Sequence, residues 1–484
     1  MNGTDVDHNS ISQHQCINAF RSLYIGNPKY KIFGSLPTDP MHAVEKSLME
    51  KALQIIFDCL TPNQKYSLDV LAQNFHKSHC QSFRQYFPQT DFSNGVTNLS
   101  QKTSAEECGL VFLVVCLAQF NDGWKILNDA LICKGEDTNL PKVLEALEAL
   151  CCFHTWTHMD KFWKISQQDR FAKEAKESLA KMLIMVCDSL QHLTRNGWNL
   201  PTFHNIMHMV SDMCKYGKPK EANTEVGEKN HKVFAKHIGR CCHKQHKSFA
   251  NQVSNRLSDY FVINKLAIAM DLVIKCNNAE GKVLEAGPRD VIYGESTKMA
   301  THYMLSISGN RPHVTWFTST ETSLLTFDEN LAKFILSYYT LSEDPPDTIH
   351  CCTEYVYNDV FMRCHPSYQG EGPWFDWVSI HFEECKVNGK TYPEDEYPCK
   401  VLAIIPKQHN SFLDETVLVV QSAQSRTRTD SVLFKEWLLM DGYHIVPVGS
   451  VVDDLLVLEL GDKKVAVALP YSEWPSQFTD TRYI

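Results

Sequence analysis

The sequence lacks three features that would place it in a simple class. It has no C-x-x-C pair despite 18 cysteines, no apolar run long enough to cross a bilayer, and no positive net charge, since the formal value is -10. Scattered cysteines in a long chain exclude a small secreted disulfide scaffold and favour buried thiols. Without an apolar leader in residues 1–10 or a membrane span, we expect a soluble, intracellular protein with no membrane partner.

Positive charge is concentrated in one segment. An acidic chain binds DNA poorly overall, because attraction to phosphates requires clustered Lys and Arg. Residues 215–256 nevertheless contain ten Lys or Arg against three Glu, a local charge of +7. This reversal is typical either of a surface that contacts DNA phosphates or of an ordinary solvated helix face. The candidate phosphate-binding residues are Lys229, Lys232, Lys236, Arg240, Lys244, Lys247 and Arg256.

Hydrophobic periodicity divides the chain into two parts. With 484 residues, 43% of them hydrophobic, it can form two or three globular domains. Helical periodicity runs from residue 39 to about residue 272, and a period of two follows the acidic, Pro-rich segment 343–347. We predict an α+β fold whose N-terminal two thirds are mostly helical and whose C-terminal domain is a small β-barrel or sandwich. The predicted divisions are a polar tail (1–38), a helical region (39–276), a linker with a hairpin and a helix (277–346) and a small β domain (347–484).

Capping and turn signals predict individual elements. Thr61 before Pro62, and Thr103 with Glu106, are typical helix starts, and residues 93–95 read as a turn. The principal predicted helices cover residues 39–60, 172–193, 203–216, 223–260 and 327–339. The predicted strands cover residues 301–308, 313–317, 355–364, 375–382, 400–405, 416–421, 443–448, 454–460 and 465–469.

Two His-containing motifs lie in the helical region. In D-x-x-H at residues 39–42, Asp39 would cap a helix and His42 would follow one turn later, an arrangement that is commonplace by itself. His204 and His208 are four residues apart and share a helix face. That spacing suits a metal pair, but the sequence has neither H-E-x-x-H nor a nearby third ligand. It therefore favours a structural or DNA-contacting role over zinc.

Two further clusters lie in the basic segment. Glu228 and His231 are three residues apart, so a helix would point both side chains the same way. A second cluster at residues 241–246 contains two Cys and two His. Adjacent cysteines diverge by about 100° around a helix and cannot easily share a metal, so no zinc is expected there. A metalloenzyme built on these His and Cys residues is retained as a third alternative.

Six segments are more informative in their order than individually. They are residues 37–43 (PTDPMHA), 87–109, 197–208 (GWNLPTFHNIMH), 228–236 (EKNHKVFAK), 249–256 (FANQVSNR) and 357–378. Their order resembles the C-terminal part of CACTA/Plavaka-like DDE DNA transposases, with the blocks P-x-D-x-M-H, G-W-x-x-P-K-F-H-x-x-x-H and E-x-x-H-K. The resemblance covers nearly the whole chain, although Pro40 and Thr202 stand where the family usually has Leu and Lys.

The resemblance implies an RNase H-like α/β core with a large helical insertion, in which three carboxylates hold two Mg²⁺ ions. Glu228 matches the third carboxylate, whereas Asp39 and His42 are expected beside the active site. His204, His208 and His231 are the further site-adjacent residues. The first two acids belong upstream of Asp39, where only two Asp occur, in a polar tail. We therefore expect Mg²⁺ not to be held stably, and Glu228 to be a ligand only if an intact site is supplied.

The function expected from this resemblance is that of a transposable-element-derived protein that is catalytically incomplete. Its expected location is the nucleus or the cytoplasm, and the resemblance favours the nucleus. Its expected partners are DNA, bound weakly through the phosphate backbone, and either itself or a full-length transposase. The alternative is a non-enzymatic DNA- or chromatin-binding module that uses the basic helices of residues 215–256 and the C-terminal β domain.

Overall fold

The computed structural model contains both helices and antiparallel strands, which confirms the predicted α+β class. An RNase H-like α/β core stays a prediction. An α/β core is built on mostly parallel strands, and every described strand pair is antiparallel. The structure describes residues 38–77, 86–87, 92, 95–97, 103–133, 139–158, 168–190, 201–216, 224, 240, 242, 248–249, 251–259, 261–263, 265–266, 302–308, 311–316, 329–339, 348–358, 360–365, 374–383, 385–387, 390–392, 394–407, 415–425 and 431–479.

Helices dominate the described residues up to Tyr216. Helix α1 runs without interruption from a π-helical part, Met41–Met49, into an α-helical part, Glu50–Cys59. Among the described helices, none alone is long and apolar enough to cross a membrane, and only the bent pair Glu106–Gln119 and Asn121–Ile132, at 107°, meets those criteria jointly. The other helices are α2 (Pro62–Phe75), α3 (Ser104–Gln119), α4 (Asn121–Ile132), α5 (Leu140–His158), α6 (Gln168–Leu190), α7 (Pro201–Ile206), α8 (Met209–Tyr216), α9 (Glu329–Tyr339) and α10 (Trp474–Thr479).

The predicted N-cap at Thr61 and the predicted capping box at Thr103 are both confirmed, and Thr61 also forms a capping box. At the start of α2, the backbone N–H of Gln64 donates to Thr61 Oγ1, and Thr61 N–H donates to Gln64 Oε1 at 2.9 Å. At the start of α3, Thr103 and Glu106 make the same reciprocal pair. Each box satisfies two backbone donors that a helix start would otherwise leave without partners.

The predicted turn at Gly95 is also confirmed, and it requires glycine. Gly95 has a φ of +85° and donates to the carbonyl oxygen of Phe92 at 2.9 Å. A Cβ at this position would lie 2.6 Å from the carboxyl carbon of Asp69. The same carboxylate accepts the backbone N–H groups of Val96 and Thr97 at 2.7 and 2.9 Å. The turn is therefore fastened to α2.

The described strands lie in the C-terminal part of the chain. They are β1 (His302–Ser308), β2 (Arg311–Trp316), β3 (Thr348–Cys352), β4 (Glu354–Tyr357), β5 (Val360–His365), β6 (Trp374–Phe375), β7 (Trp377–Phe382), β8 (Cys385–Val387), β9 (Lys390–Tyr392), β10 (Asp395–Ile405), β11 (Val417–Ser425), β12 (Phe434–Leu439), β13 (His444–Pro447), β14 (Val451–Leu455), β15 (Val457–Gly461) and β16 (Lys464–Ala468).

Eleven of these strands form a curled, half-barrel sheet. Its path runs β15-β16-β12-β11-β10-β3-β1-β2, with β13 on β11 and β7 joining β10 to β14. Strands β4, β5 and β6 form a separate three-stranded sheet, and β8 pairs with β9 alone.

The centre of the sheet is covered on both faces. In β11, Leu418 and Val420 pack into one apolar cluster, whereas Val417 and Val419 pack into another that includes α9. A strand buried on both faces reads as a continuous apolar run rather than an alternating one. The predicted hairpin β1–β2 belongs to this sheet, because β1 pairs with β3.

Three strand predictions were wrong in detail, and one of them, 375–382, is divided at Asp376 between β6 and β7. The stretch 355–364 is a hairpin, because Asn358 adopts a left-handed φ of 46° and the register pairs Tyr357 with Val360. Asn tolerates this conformation better than most residues. The stretch 454–460 is two strands that meet at Leu456, where the chain leaves its pairing with β7 and begins to pair with β16.

The helices and the sheet share one apolar core. Phe112 of α3 stacks on Phe434 of β12, with ring centroids 5.8 Å apart, and lies 4.7 Å from Trp474 of α10. Tyr86 donates its hydroxyl to the carbonyl oxygen of Leu469 at 3.0 Å. Removing a buried aromatic side chain from such a core typically costs about 3–5 kcal/mol. The predicted domain boundaries stay predictions, because a shared core does not itself decide which segments fold alone.

A buried carboxyl group fastens α5 to the segment before β12. Glu148 accepts the hydroxyl of Ser431 at 2.6 Å and the backbone N–H of Val432 at 2.7 Å. Burial raises the pKa of Glu148 to about 7, although these hydrogen bonds act in the opposite direction. The desolvation cost therefore exceeds the gain from the hydrogen bonds, and the folded state favours the protonated acid.

We predict that Glu148→Gln removes a pH dependence from stability. Below about pH 4.5 the acid is protonated in both states, but the unfolded chain ionises first as the pH rises towards 7. The wild type should therefore lose up to about 3 kcal/mol relative to Glu148→Gln across this range. Denaturant unfolding at several pH values measures the difference. Glu145→Gln, exposed on the same helix, is the control, and equal slopes for all three proteins would contradict the prediction.

Candidate functional site

The D-x-x-H motif forms the start of α1. The carbonyl oxygen of Asp39 accepts from the N–H of Ala43 at 3.0 Å, and Asp39 Oδ1 accepts from the N–H of Met41 at 3.1 Å. Pro40 occupies the first helical position, where its missing N–H costs nothing. Asp39 Oδ2 lies 2.5 Å from Nδ1 of His42. The predicted capping role of Asp39 is thus confirmed, and the cap also orients the His42 ring.

Thr224, from a distant part of the chain, contacts both Asp39 and His42. Its hydroxyl donates to Asp39 Oδ2 at 2.6 Å and its backbone N–H donates to Asp39 Oδ1 at 3.2 Å. The same hydroxyl oxygen lies 3.2 Å from His42 Nδ1. The segment immediately before Glu228 is therefore held against the D-x-x-H motif. Glu228 and His231 themselves lie outside the described residues.

The environment of Asp39 favours its ionised form. Burial would raise the pKa of this carboxyl, but hydrogen bonds from His42, Thr224 and the Met41 N–H outweigh burial and lower it. An ionised carboxylate only accepts hydrogen bonds, so the proton between the two side chains belongs to His42 Nδ1. The side chain of His42 is 53% exposed, so an anion such as a DNA phosphate can reach it.

A second motif block reaches the same end of α1 through Thr38. The N–H and the hydroxyl of Thr38 lie 2.9 and 2.8 Å from Asp212 Oδ2, and the hydroxyl lies 3.1 Å from the carbonyl oxygen of Asn205. Asn205 and Asp212 flank His208 in the sequence, one on α7 and one on α8. Blocks that are separated by more than 160 residues are thus in direct contact.

His204 and His208 are exposed and touch each other. Their Nε2 atoms lie 3.2 Å apart, and the rings meet edge to face. The prediction of one helix over residues 203–216 was wrong, because α7 ends at Ile206 and α8 begins at Met209. The N–H groups of Met207 and His208 bond to carbonyl groups three residues back, which tightens the chain at this point. Among the residues that the structure describes, no third metal-ligand side chain joins this pair.

The predicted helix over residues 223–260 is interrupted. Cys242 is buried in a bend, and a new helical run begins after Ser248, whose carbonyl oxygen accepts from the N–H of Gln252 at 3.0 Å. Ser248 suits a helix start because its hydroxyl also accepts from the Gln252 side chain. Arg240 and Arg256 are exposed, as phosphate contacts would be, but they lie on opposite sides of this break. Outside the described residues lie Lys229, Lys232, Lys236, Lys244, Lys247, Cys241, His243 and His246.

The C-terminal residues of the resemblance form a buried structural cluster. Asp376 accepts the backbone N–H of Arg363 at 2.8 Å and the indole N–H of Trp374 at 2.6 Å. The Arg363 guanidinium lies over the Trp374 ring, 4.7 Å from its centroid. Burial raises the pKa of Asp376, and the Arg363 charge only partly opposes that change. This cluster joins β5, β6 and β7 and is covered, so it does not face a ligand.

One group of potential metal ligands was not predicted from the sequence. Glu45 Oε1 lies 3.0 Å from His154 Nε2 and 3.3 Å from His158 Nε2. It is the one such group of three or more side chains found within the described parts of the chain. The i, i+4 spacing of the two His on a helix was the available signal, but Glu45 is 109 residues away from His154.

We predict that Asp39→Ala releases the segment at Thr224. Losing the cap and the half-buried acceptor should cost about 1–2 kcal/mol of stability. The Thr224 amide should also exchange its hydrogen faster. Asp39→Asn should lose less, because its amide oxygen still accepts a hydrogen bond. Hydrogen exchange followed by mass spectrometry measures both effects, with Asp122→Ala at the exposed start of α4 as the control. Unchanged exchange at Thr224 in Asp39→Ala would show that the tether does not form.

Comparison with known proteins gives no relative. No protein-family model, no curated protein and no solved structure matches the chain. The transposase resemblance therefore stays a prediction, and it depends on the order of its motifs and on the contacts between them.

Proposed function

We propose that this chain is a transposable-element-derived protein of the CACTA/Plavaka transposase type that binds DNA in the nucleus without cutting it. The observation that carries the proposal is the meeting of two motif blocks at the start of α1, where Thr38 contacts Asn205. Asp39 also contacts Thr224, which lies four positions before the third block in the sequence. Motifs that share a site must be neighbours in space, and residues 38–42, 204–212 and 224 satisfy this requirement.

The side chains around this junction suit a phosphate backbone. His42, His204 and His208 are exposed, and each can donate to an anion when it carries a proton. The basic segment continues past Thr224 in the sequence, with Lys220 before it and Lys229 after it, and its Arg240 is exposed. The acidic remainder of the chain opposes DNA binding. We therefore expect weak binding, with a Kd on the order of micromolar or weaker at physiological salt.

We propose that this chain alone does not hold Mg²⁺ stably. Both carboxylate oxygens of Asp39 already accept hydrogen bonds from the protein, and Mg²⁺ requires oxygen ligands in near-octahedral geometry. The resemblance matches a single acid of the family triad, Glu228. One carboxylate does not position the two metal ions of strand transfer. Glu228 would serve as a ligand when a full-length transposase in a mixed assembly supplies the others.

Charge reversal in the basic segment tests the DNA-binding proposal. The triple variant Lys232→Glu, Lys236→Glu, Arg240→Glu should abolish binding to a labelled duplex at low salt. In the wild type, each phosphate contact should contribute about 0.9 to the slope of log K against log salt. The control carries the same charge change elsewhere, with Lys125→Glu, Lys173→Glu and Lys176→Glu on the exposed surfaces of α4 and α6. The control substitutions are at exposed charges, which contribute little to stability, and thermal unfolding of both variants checks that each one folds.

Two outcomes would contradict the proposal. If the wild type does not bind the duplex at low salt, or if the two triple variants lose binding equally, the basic segment is a solvated face. The same samples, incubated with Mg²⁺ or Mn²⁺, should neither nick nor join DNA. Metal-dependent cleavage that disappears in Glu228→Gln would show that the chain is an active enzyme.

A further inference from the structure

Three ligand-type side chains converge where α1 packs beside α5. Glu45 comes from the π-helical part of α1, and His154 and His158 come from the last turns of α5. Glu45 Oε1 lies within 3.3 Å of both Nε2 atoms, and the two imidazole rings are 4.3 Å apart. The Glu45 side chain is only 4% exposed. A carboxylate buried to this extent requires a positive charge beside it.

The separations match the edges of a zinc coordination shell. Zinc binds His nitrogen at about 2.0–2.1 Å and carboxylate oxygen at about 2.0–2.2 Å, so neighbouring ligand atoms in a tetrahedron are about 3.3 Å apart. The two Glu45–His separations are 3.0 and 3.3 Å. All three ligand atoms lie within 4.8 Å of one another, close enough to be bridged by one ion.

The second nitrogen of His158 supports the same arrangement. His158 Nδ1 lies 3.0 Å from the carbonyl oxygen of His154, which can only accept, so Nδ1 carries a proton. Metal-binding His residues characteristically donate their other N–H to such a carbonyl group. In a neutral His158, Nε2 then carries a lone pair that faces the Glu45 carboxylate. This contact is favourable only when a cation or a second proton lies between the two atoms. A hydrogen bond from Ser104 also orients Glu45.

The three side chains together suit a single cation. One divalent ion bound to all three ligand atoms would neutralise the buried carboxylate while both imidazoles stay neutral. Two imidazoles and one carboxylate form a ligand set that suits zinc.

We propose that Glu45, His154 and His158 bind one Zn²⁺ ion, which clamps α1 to α5. This proposal is independent of DNA binding and reverses the expectation that the chain takes no zinc. That expectation was based only on ligands close together in the sequence, whereas this site joins residues 109 positions apart. Three protein ligands leave a fourth position for water. The clamp would lie along the same helix as the D-x-x-H motif.

The test uses the full chain and Zn²⁺ alone. After removal of metal with a chelator, the wild type should bind one Zn²⁺ per chain and unfold at a higher temperature when zinc is present. Glu45→Gln, His154→Gln and His158→Gln should each weaken binding by roughly a hundredfold, as expected when one of three ligands is lost. The matched control is the exposed pair His204→Gln, His208→Gln, which has the same i, i+4 spacing but no Glu partner among the described residues. Its zinc affinity should be unchanged.

Cobalt substitution keeps the test decisive if a variant fails to fold. Wild-type protein loaded with Co²⁺ should show the visible bands of a tetrahedral site without the near-ultraviolet absorption of thiolate ligands. Strong thiolate absorption would place the metal on cysteines and overturn the proposal. So would a wild type that neither binds Zn²⁺ nor gains thermal stability from it, or ligand variants that bind zinc as well as the control pair does.

Discussion

The carboxylate of Asp39 is the constraint on which the candidate site depends. It caps α1, orients His42 and accepts both donors of Thr224. A helix start concentrates unsatisfied N–H groups and partial positive charge, and an ionised carboxylate is the group best suited to that position. Because the same two oxygens serve all of these partners, the start of α1 and the segment before Glu228 are held together.

Other buried acids join distant parts of the chain, and their partners decide their charge. At Glu45, burial alone would raise the pKa, but hydrogen bonds and positive charge beside the carboxylate outweigh burial and lower the pKa. At Glu148 the partners are a hydroxyl and backbone N–H groups, which do not compensate for burial, and the pKa rises to about 7. Imidazole partners thus allow a buried carboxylate to stay ionised, whereas neutral donors do not. The Glu45 group is therefore suited to bind a cation. The contact that Glu148 makes between α5 and the segment before β12 is instead expected to depend on pH.

Local signals predicted much of the fold, and long-range contacts explain the rest. Thr61, Thr103 and Gly95 act within a few residues, so the sequence near them was enough to place two helix starts and one turn. Strand β12 was not predicted because it is defined by its partners β11 and β16, and not by any alternation of its own. The candidate site shows the same limit. Asp39 and His42 form a local motif, but their partner Thr224 follows more than 180 residues later, and no spacing rule connects them.

Photo-crosslinking at His208 tests most directly whether the meeting of the motif blocks forms a DNA interface. A photoreactive amino acid replaces His208 in one protein and Tyr66, which is 71% exposed on α2, in another. Both proteins are irradiated with the same labelled duplex at low salt. Our account predicts a DNA adduct at position 208 and little or none at position 66. Equal crosslinking at both positions, or none at position 208 while the duplex is bound, would contradict it.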